Sequence, residues 1–158
     1  MLWWQPLNSN MAAVTTNIAA VIGKVISNFE LLQDREYLLR PLAIETIPLM
    51  KERIHEQGEA SDGSQIGTYS NGYMAAREKA GRGESRKVIV ALTSQLEQDW
   101  AVLATQKGYG IGFNNPFNAQ KARWVEEGKS KIIFNLSAEE KQYISERLQE
   151  LVNGAINP

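Results

Sequence analysis

The order of periodic segments predicts an α+β fold, with long N-terminal helices and a C-terminal helix packed on a small, mostly antiparallel sheet. Three observations carry that expectation. Apolar residues recur at helical spacing before residue 58 and again after residue 137. Between those stretches, short β-branched and glycine-punctuated runs have the length and turn chemistry of strands. The 158 residues suit one domain, which at this size buries roughly 68 to 70% of the surface its unfolded chain exposes. Residues 1–16 are read as an N-terminal arm and residues 17–158 as a single domain carrying an extended loop, 58–82.

The elements follow in order. Ile18, Ile22, Val25, Phe29 and Leu32 fall on one stripe of an amphipathic helix. Leu39, Ala43, Ile47, Met50 and Ile54 mark a second helix that ends at Gly58, a C′ glycine. Pro41 and Pro48 each lack a backbone donor, which predicts a kink or restart near Pro41. Tyr73 to Lys79 makes a short helix, and Lys87 to Leu92 reads as a strand. Asp99 to Thr105 and Tyr109 to Phe113 flank Lys107-Gly108 as an antiparallel hairpin. Asn118 is placed to cap a helix bearing Ala122, Trp124 and Val125, with Gly128 stopping it, and Lys131 to Asn135 is a further strand. Ser137 and Glu140 form an S-x-x-E capping box, after which Ile144, Leu148, Leu151 and Ala155 give the last apolar stripe, fading at Gly154 and Pro158.

Composition narrows the chemistry. There is no cysteine, so disulfides and thiolate metal sites are excluded, which fits a reducing compartment. The formal charge is −1 and evenly spread, so no basic footprint for nucleic acid stands out. The opening MLWWQPLNSN has no charged n-region and no long apolar run, and neither a signal peptide nor a membrane span is expected.

Motif fragments do not assemble into a catalytic kit. His55-Glu56-x-x-Glu59 is half of a zinc-protease motif, but His55 is the chain's one histidine. Gly128-Lys129-Ser130 has the tail of a phosphate-binding loop, yet its first glycine would fall at Arg123. No serine sits in G-x-S-x-G. The pairs Glu126-Glu127 and Glu139-Glu140 point to different helix faces and are expected to be solvated, Glu140 also serving the cap. Asp62, Ser64 and Gln65 have turn chemistry rather than the acidic spacing of a calcium loop. No catalytic residue, cofactor or metal is expected.

Gly58 to Arg82 is glycine-rich and polar, with turn dipeptides Asp62-Gly63 and Asn71-Gly72, yet it carries Ile66, Tyr69, Tyr73, Met74 and Arg77. Two readings stay open: a loop folded back on its own domain, or a surface ordered by a partner. Tyr and Arg are favoured at interface cores, and a spacing of four puts Tyr73 and Arg77 on one helical side. Trp3 and Trp4 are large aromatic surfaces for a short arm, unless translation begins at Met11.

One pattern runs through these residues: Arg53, then G-x-x-S-D-G-S-x-I-G-x-Y-S from Gly58 to Ser70, Tyr73-x-x-x-Arg77, Leu92-Thr93-x-x-Leu96, Lys121-Ala122 and Glu126-x-Gly128. It resembles the neck and tail-completion proteins of tailed bacteriophages, the virion-morphogenesis or minor-tail-protein group, over roughly Ile18 to Ile156. Ser94 departs from the expected T-G-x-L, and the Trp3-Trp4 arm has no counterpart. The resemblance implies a non-catalytic virion protein, made in the host cytoplasm and placed in the neck as a six- or twelve-fold ring. Portal or connector proteins would lie on one side and tail proteins on the other, with passive contact to DNA in the channel and no membrane. Closed rings need two different faces per subunit, and the expected assembly residues are Trp3, Trp4, Arg53, Asp62, Ile66, Tyr69, Tyr73 and Arg77. The alternative is a small nucleic-acid-binding regulatory protein using Arg77, Lys79, Arg82, Arg86 and Lys87, although Glu78 and Glu84 offset them. A cell-wall hydrolase acting through Glu59 or Glu126 is the least favoured reading.

Overall fold

The computed structural model describes Ser27 and residues 35–91, 94–106 and 108–156. The fold is α+β: five helical segments surround one two-stranded antiparallel sheet among the described residues. The predicted Ile18–Leu32 stripe lies outside the described residues, apart from Ser27, as do Trp3, Trp4, Leu92 and Thr93.

Helix α1, Arg35–Lys51, buries Leu42, Ala43, Thr46 and Met50 and packs against both strands and the C-terminal helix. It runs through Pro41 and Pro48 without the restart expected at Pro41. Each proline costs a backbone bond, but burial of the facing apolar stripe outweighs the loss. Thr46 Oγ1 also donates to the Leu42 carbonyl at 2.6 Å. The departure from α geometry comes later, in a π turn over Glu52–Gln57. Gly58 closes it at φ 64°, its N–H bonded to the Arg53 carbonyl. A Cβ at Gly58 would meet the Val88 carbonyl oxygen at 2.4 Å, so position 58 needs glycine for both conformation and space.

The loop beyond Gly58 is folded back on its own domain. Asp62 Oδ1 accepts from Ser64 N at 2.9 Å and Ser64 Oγ at 2.6 Å, making an Asx turn. The turn is tied to residues 131–132 through Ser61 N to the Ile132 carbonyl at 3.0 Å and Lys131 Nζ to Ser64 Oγ at 2.8 Å. Residues 67–69 then run beside 86–88, joined by Val88 N to Gly67 O at 2.9 Å and Tyr69 N to Arg86 O at 2.7 Å. Between them stands helix α2, Asn71–Lys79, capped by the Ser70 hydroxyl.

Of the predicted strand Lys87 to Leu92, the described residues 87–91 form no strand. They make one bridge, Lys87 with Thr68, and Val90 turns to φ 47°, which ends extended pairing. After the one-turn helix α3, Gln95–Gln98, the predicted hairpin is present as β1, Trp100–Thr105, and β2, Gly108–Phe113, in register from Trp100↔Phe113 to Thr105↔Gly108. Gly112 lies under Leu103, whose Cδ1 would stand 2.8 Å from an added Cβ.

Helix α4, Pro116–Lys129, is capped by Asn115 rather than Asn118; proline at the first helical position favours that earlier start. It continues through Gly128 and ends on Ser130 in the left-handed region. Lys131 to Asn135 is not a strand either. Two of its backbone donors go to a side chain: Glu126 Oε1 accepts from Ile133 N at 2.7 Å and Phe134 N at 3.0 Å. Glu126 is therefore not the solvated carboxylate its sequence neighbourhood implies. Helix α5, Ala138–Ile156, starts at the predicted capping box, with Ser137 N to Glu140 Oε2 at 2.7 Å and Glu140 N to Ser137 Oγ at 3.2 Å. It continues past Gly154.

The core joins Ile54, Ala60, Ile66, Tyr69, Val88 and Ile133, with Trp100 and Phe134 packed at its edge. Arg53 crosses it. Nε donates to Glu140 Oε1 at 2.7 Å and Nη2 to Oε2 at 3.3 Å; the remaining donors reach the carbonyls of Glu59 (3.0 Å), Ile133 (3.1 Å) and Asn135 (2.9 Å). All five guanidinium protons are thus used. Arg53 is 6% and Glu140 3% exposed, so Glu140 is not solvated as the pairing with Glu139 implies.

Replacing Arg53 with Met strands a buried carboxylate and three carbonyls, and is expected to cost about 3 to 5 kcal/mol. Urea unfolding checks this, and a loss under about 1 kcal/mol would contradict it. Gly58→Ala is expected to cost roughly 2 kcal/mol or more, from the left-handed conformation and the Val88 contact together. The same unfolding measurement checks it, with Gly63→Ala, whose Cβ meets nothing within 4 Å, as the control for left-handed strain alone.

Candidate functional site

A cleft of about 910 Å³ opens between the 68–70 segment and the start of α2 on one side and α3 with α4 on the other. Its floor is aliphatic, from Val88, Val90, Leu96 and Val125, and its walls carry Tyr73 and Trp124. A volume of this size falls in the range of ligand pockets. Val90 and Ser94, both lining it, have φ of 47° and 58°. A β-branched residue held there stores backbone strain of order 1 to 3 kcal/mol.

The electrostatics of the cleft are one-sided. Arg86, Lys121 and Lys129 line it, and no Asp or Glu does. Each cation is held by neutral oxygens: Arg86 by the Tyr69 carbonyl at 3.3 Å, Lys121 by Gln95 Oε1 at 3.0 Å and Asn118 Oδ1 at 3.3 Å, Lys129 by the Thr68 carbonyl at 3.2 Å. None takes part in the ion pairs found among the described residues, which are Arg53–Glu140, Arg147–Glu45 and Arg147–Glu150.

Behind the Tyr69 ring lies Arg77, 2% exposed, with Cζ 4.3 Å from the ring centroid. Its Nη1 donates to the Ala91 carbonyl, and its Nε has no partner. Tyr69 stacks in turn on Tyr73 at 5.0 Å. Burial pushes the Tyr69 hydroxyl up in pKa, the Arg77 charge opposing it, and the phenol stays protonated while its oxygen accepts from Ile89 N at 3.2 Å.

The structure therefore brings Tyr69 against both Tyr73 and Arg77, although the helical spacing related only the last two. It separates them from Arg53 and Asp62. Arg53, Ile66, Tyr69 and Arg77 are buried within the subunit, so their side chains serve its own packing. Asp62 and Tyr73 keep exposed surface, and the hydrogen bonds from Ser64 lower the Asp62 pKa. Trp3 and Trp4 lie outside the described residues. Sequence reasoning missed the exposed stripe of α4: Phe117, Lys121 and Trp124, spaced by four and three. Phe117 is 54% and Trp124 51% exposed, their rings meeting edge to face at 6.2 Å, and Lys121 Nζ sits 4.7 Å from the Phe117 centroid. That spacing was readable, but a helix with buried Ala122 on another face gave no reason to turn aromatic residues outward.

The motif fragments have structural explanations. His55 is buried, accepting at Nε2 from Trp100 Nε1 at 3.1 Å, which leaves Nδ1 to donate to the Ile89 carbonyl at 3.3 Å. Both ring nitrogens are thereby occupied. Gly128-Lys129-Ser130 falls at the C-terminal end of α4, so it lacks the backbone N–H groups of a helix N-terminus that a phosphate-binding loop uses. No cluster of three or more metal-ligating side chains occurs among the described residues.

Compared with protein-family models, curated proteins and solved structures, the chain matches none.

Burial lowers the His55 pKa below 6.5, with the Ile89 carbonyl and the Glu97 charge opposing the shift and Lys51 adding to it. The unfolded chain thus takes up this proton before the folded one does. Stability is whole above about pH 6.5 and falls as pH drops through the window below it. Urea unfolding between pH 7.5 and 5 is expected to show that slope, and His55→Gln, which keeps one acceptor and one donor, is expected to flatten it. An unchanged slope in the variant would assign the effect to carboxylates.

Proposed function

We propose that the protein is a non-catalytic assembly subunit, and that its place is a ring at the head–tail junction of a tailed phage or prophage. The observation that carries the assembly reading is the outward aromatic stripe Phe117–Trp124, set beside half-exposed Tyr73 on the rim of a cleft. Trp and Tyr are enriched where interfaces concentrate binding energy, and two large rings held in solvent beside a concave surface fit such a role. The neck placement rests on the sequence resemblance, from Arg53 and the Gly58–Ser70 pattern to Glu126-x-Gly128. Portal or connector proteins on one side and tail proteins on the other are the partners this reading assigns, with DNA passing through the channel.

The regulatory nucleic-acid reading draws less support. Of the cations that motivated it, Arg77 is buried and Arg82 Nη2 donates to Ser94 Oγ, so they do not form one basic track.

The test is the mass of the purified chain in solution, alone and with connector and tail proteins, together with negative-stain imaging. A ring, or a monomer that joins a ring with its partners, is the expected result. Phe117→Ala with Trp124→Ala is expected to weaken that assembly at least tenfold, since central aromatic truncations cost about 2 kcal/mol or more, while melting stays near wild type. A persistent monomer that binds neither neighbour would overturn the proposal.

A further inference from the structure

We infer that the cleft between residues 68–70 and α4 receives an acidic segment of a partner polypeptide, anchored by one large apolar side chain. This rests on the assembly reading above and names the chemistry of the partner. Two independent observations point to an anion. Arg86, Lys121 and Lys129 surround the cleft with no carboxylate in its lining, in a chain whose net charge is −1. Arg77 lies behind the Tyr69 wall, 2% exposed, without an ion-pair partner among the described residues and with Nε unbonded. A buried guanidinium with no carboxylate is costly, and its field adds to that of the three cations at the cleft. Carboxylates arriving there gain from all four charges. The Arg77 contribution acts through the Tyr69 ring, so it strengthens the site without touching the ligand.

The floor decides which kind of anion. Val88, Val90, Leu96 and Val125 have no hydrogen-bonding side-chain groups, and Trp124 and Tyr73 flank them with aromatic faces. A phosphate backbone gains nothing from an aliphatic floor and binds best along a continuous cationic track. A peptide with a Leu, Phe or Trp between acidic residues satisfies both parts: the apolar side chain displaces water from the floor while its flanking carboxylates meet Arg86, Lys121 and Lys129. Such pairing of a filled pocket with a charged rim is the usual anatomy of a small recognition site. Backbone held in the left-handed region at Val90 and Ser94 places strain at the same spot.

The experiment selects ligands for the intact chain from a display library of random dodecapeptides, then measures synthetic copies of the enriched sequences by fluorescence anisotropy. The expected winners carry two or more Asp or Glu beside a Leu, Phe or Trp. The double variant K121E/K129E is expected to weaken them at least about tenfold, as reversed charges repel, and Trp124→Ala is expected to weaken them without changing the salt dependence. Thermal melts establish that the variants fold; if charge reversal disturbs folding, K121Q/K129Q is used in its place, with a smaller loss expected. Failure to enrich acidic sequences, affinities indifferent to both variants, or tighter binding of a thymidine oligonucleotide than of any peptide would each overturn the inference. So would occupation of the cleft by a second copy of the chain, seen as self-association abolished by K121E/K129E. The two proposals fail separately: peptide binding without ring formation removes the neck role alone, and ring formation by a chain that enriches no acidic peptide removes the cleft ligand alone.

Discussion

The buried pair of Arg53 and Glu140 is the constraint on which the other elements depend. One guanidinium gathers five acceptors from three parts of the chain: the two carboxylate oxygens of Glu140 in α5, the carbonyl of Glu59 in the loop, and two carbonyls from 133–135. Desolvating such a pair is expensive and is repaid only when every proton and lone pair finds a partner. Here the same carboxylate also closes the capping box through Ser137 N. Arg53 therefore does for these segments what a third and fourth strand would do in a larger sheet. It supplies donors to carbonyls that have no ladder.

A second carboxylate completes the arrangement from the other side. Glu126 accepts from the amides of Ile133 and Phe134 while Arg53 donates to the carbonyls of Ile133 and Asn135. The 131–135 segment is thus held by side chains of both charges, which lets Ile133 enter the core without a neighbouring strand. Since Glu126 belongs to α4, this contact also sets the position of the helix whose opposite face carries Phe117, Lys121 and Trp124. The cleft inherits its shape from that. One wall is α4, fixed by Glu126, and the other is the 66–70 segment, fixed by its pairing with 86–88 and by the stack of Tyr69 on Arg77.

The two buried arginines show how differently one residue type is used. Arg53 is saturated with hydrogen bonds and faces a carboxylate, so its charge is spent inside the subunit. Arg77 has an aromatic face, one carbonyl and a free Nε, so its charge remains available to its surroundings. A low-dielectric setting strengthens both effects. That contrast is why the first reads as a structural fastener and the second as a contributor to the field around a binding surface.

Local signals determined much of this protein. The period of α1, the glycine stop at Gly58, the hairpin about residue 108 and the Ser137–Glu140 box all follow from backbone chemistry acting over a few residues, and the structure has each of them. The β-branched runs at 87–92 and 131–135 have strand composition too, but a strand needs a partner at hydrogen-bonding distance. Only the tertiary structure decided that Thr68, Glu126 and Arg53 would supply the contacts instead. The same holds for the candidate site. Tyr69, Tyr73 and Arg77 were legible as a group because a helical turn joins the last two, whereas Lys121, Trp124 and Lys129 meet them across some fifty residues of chain. Local chemistry carries no information about which distant charges will share a cleft without a counterion, because packing settles that only once the core has closed.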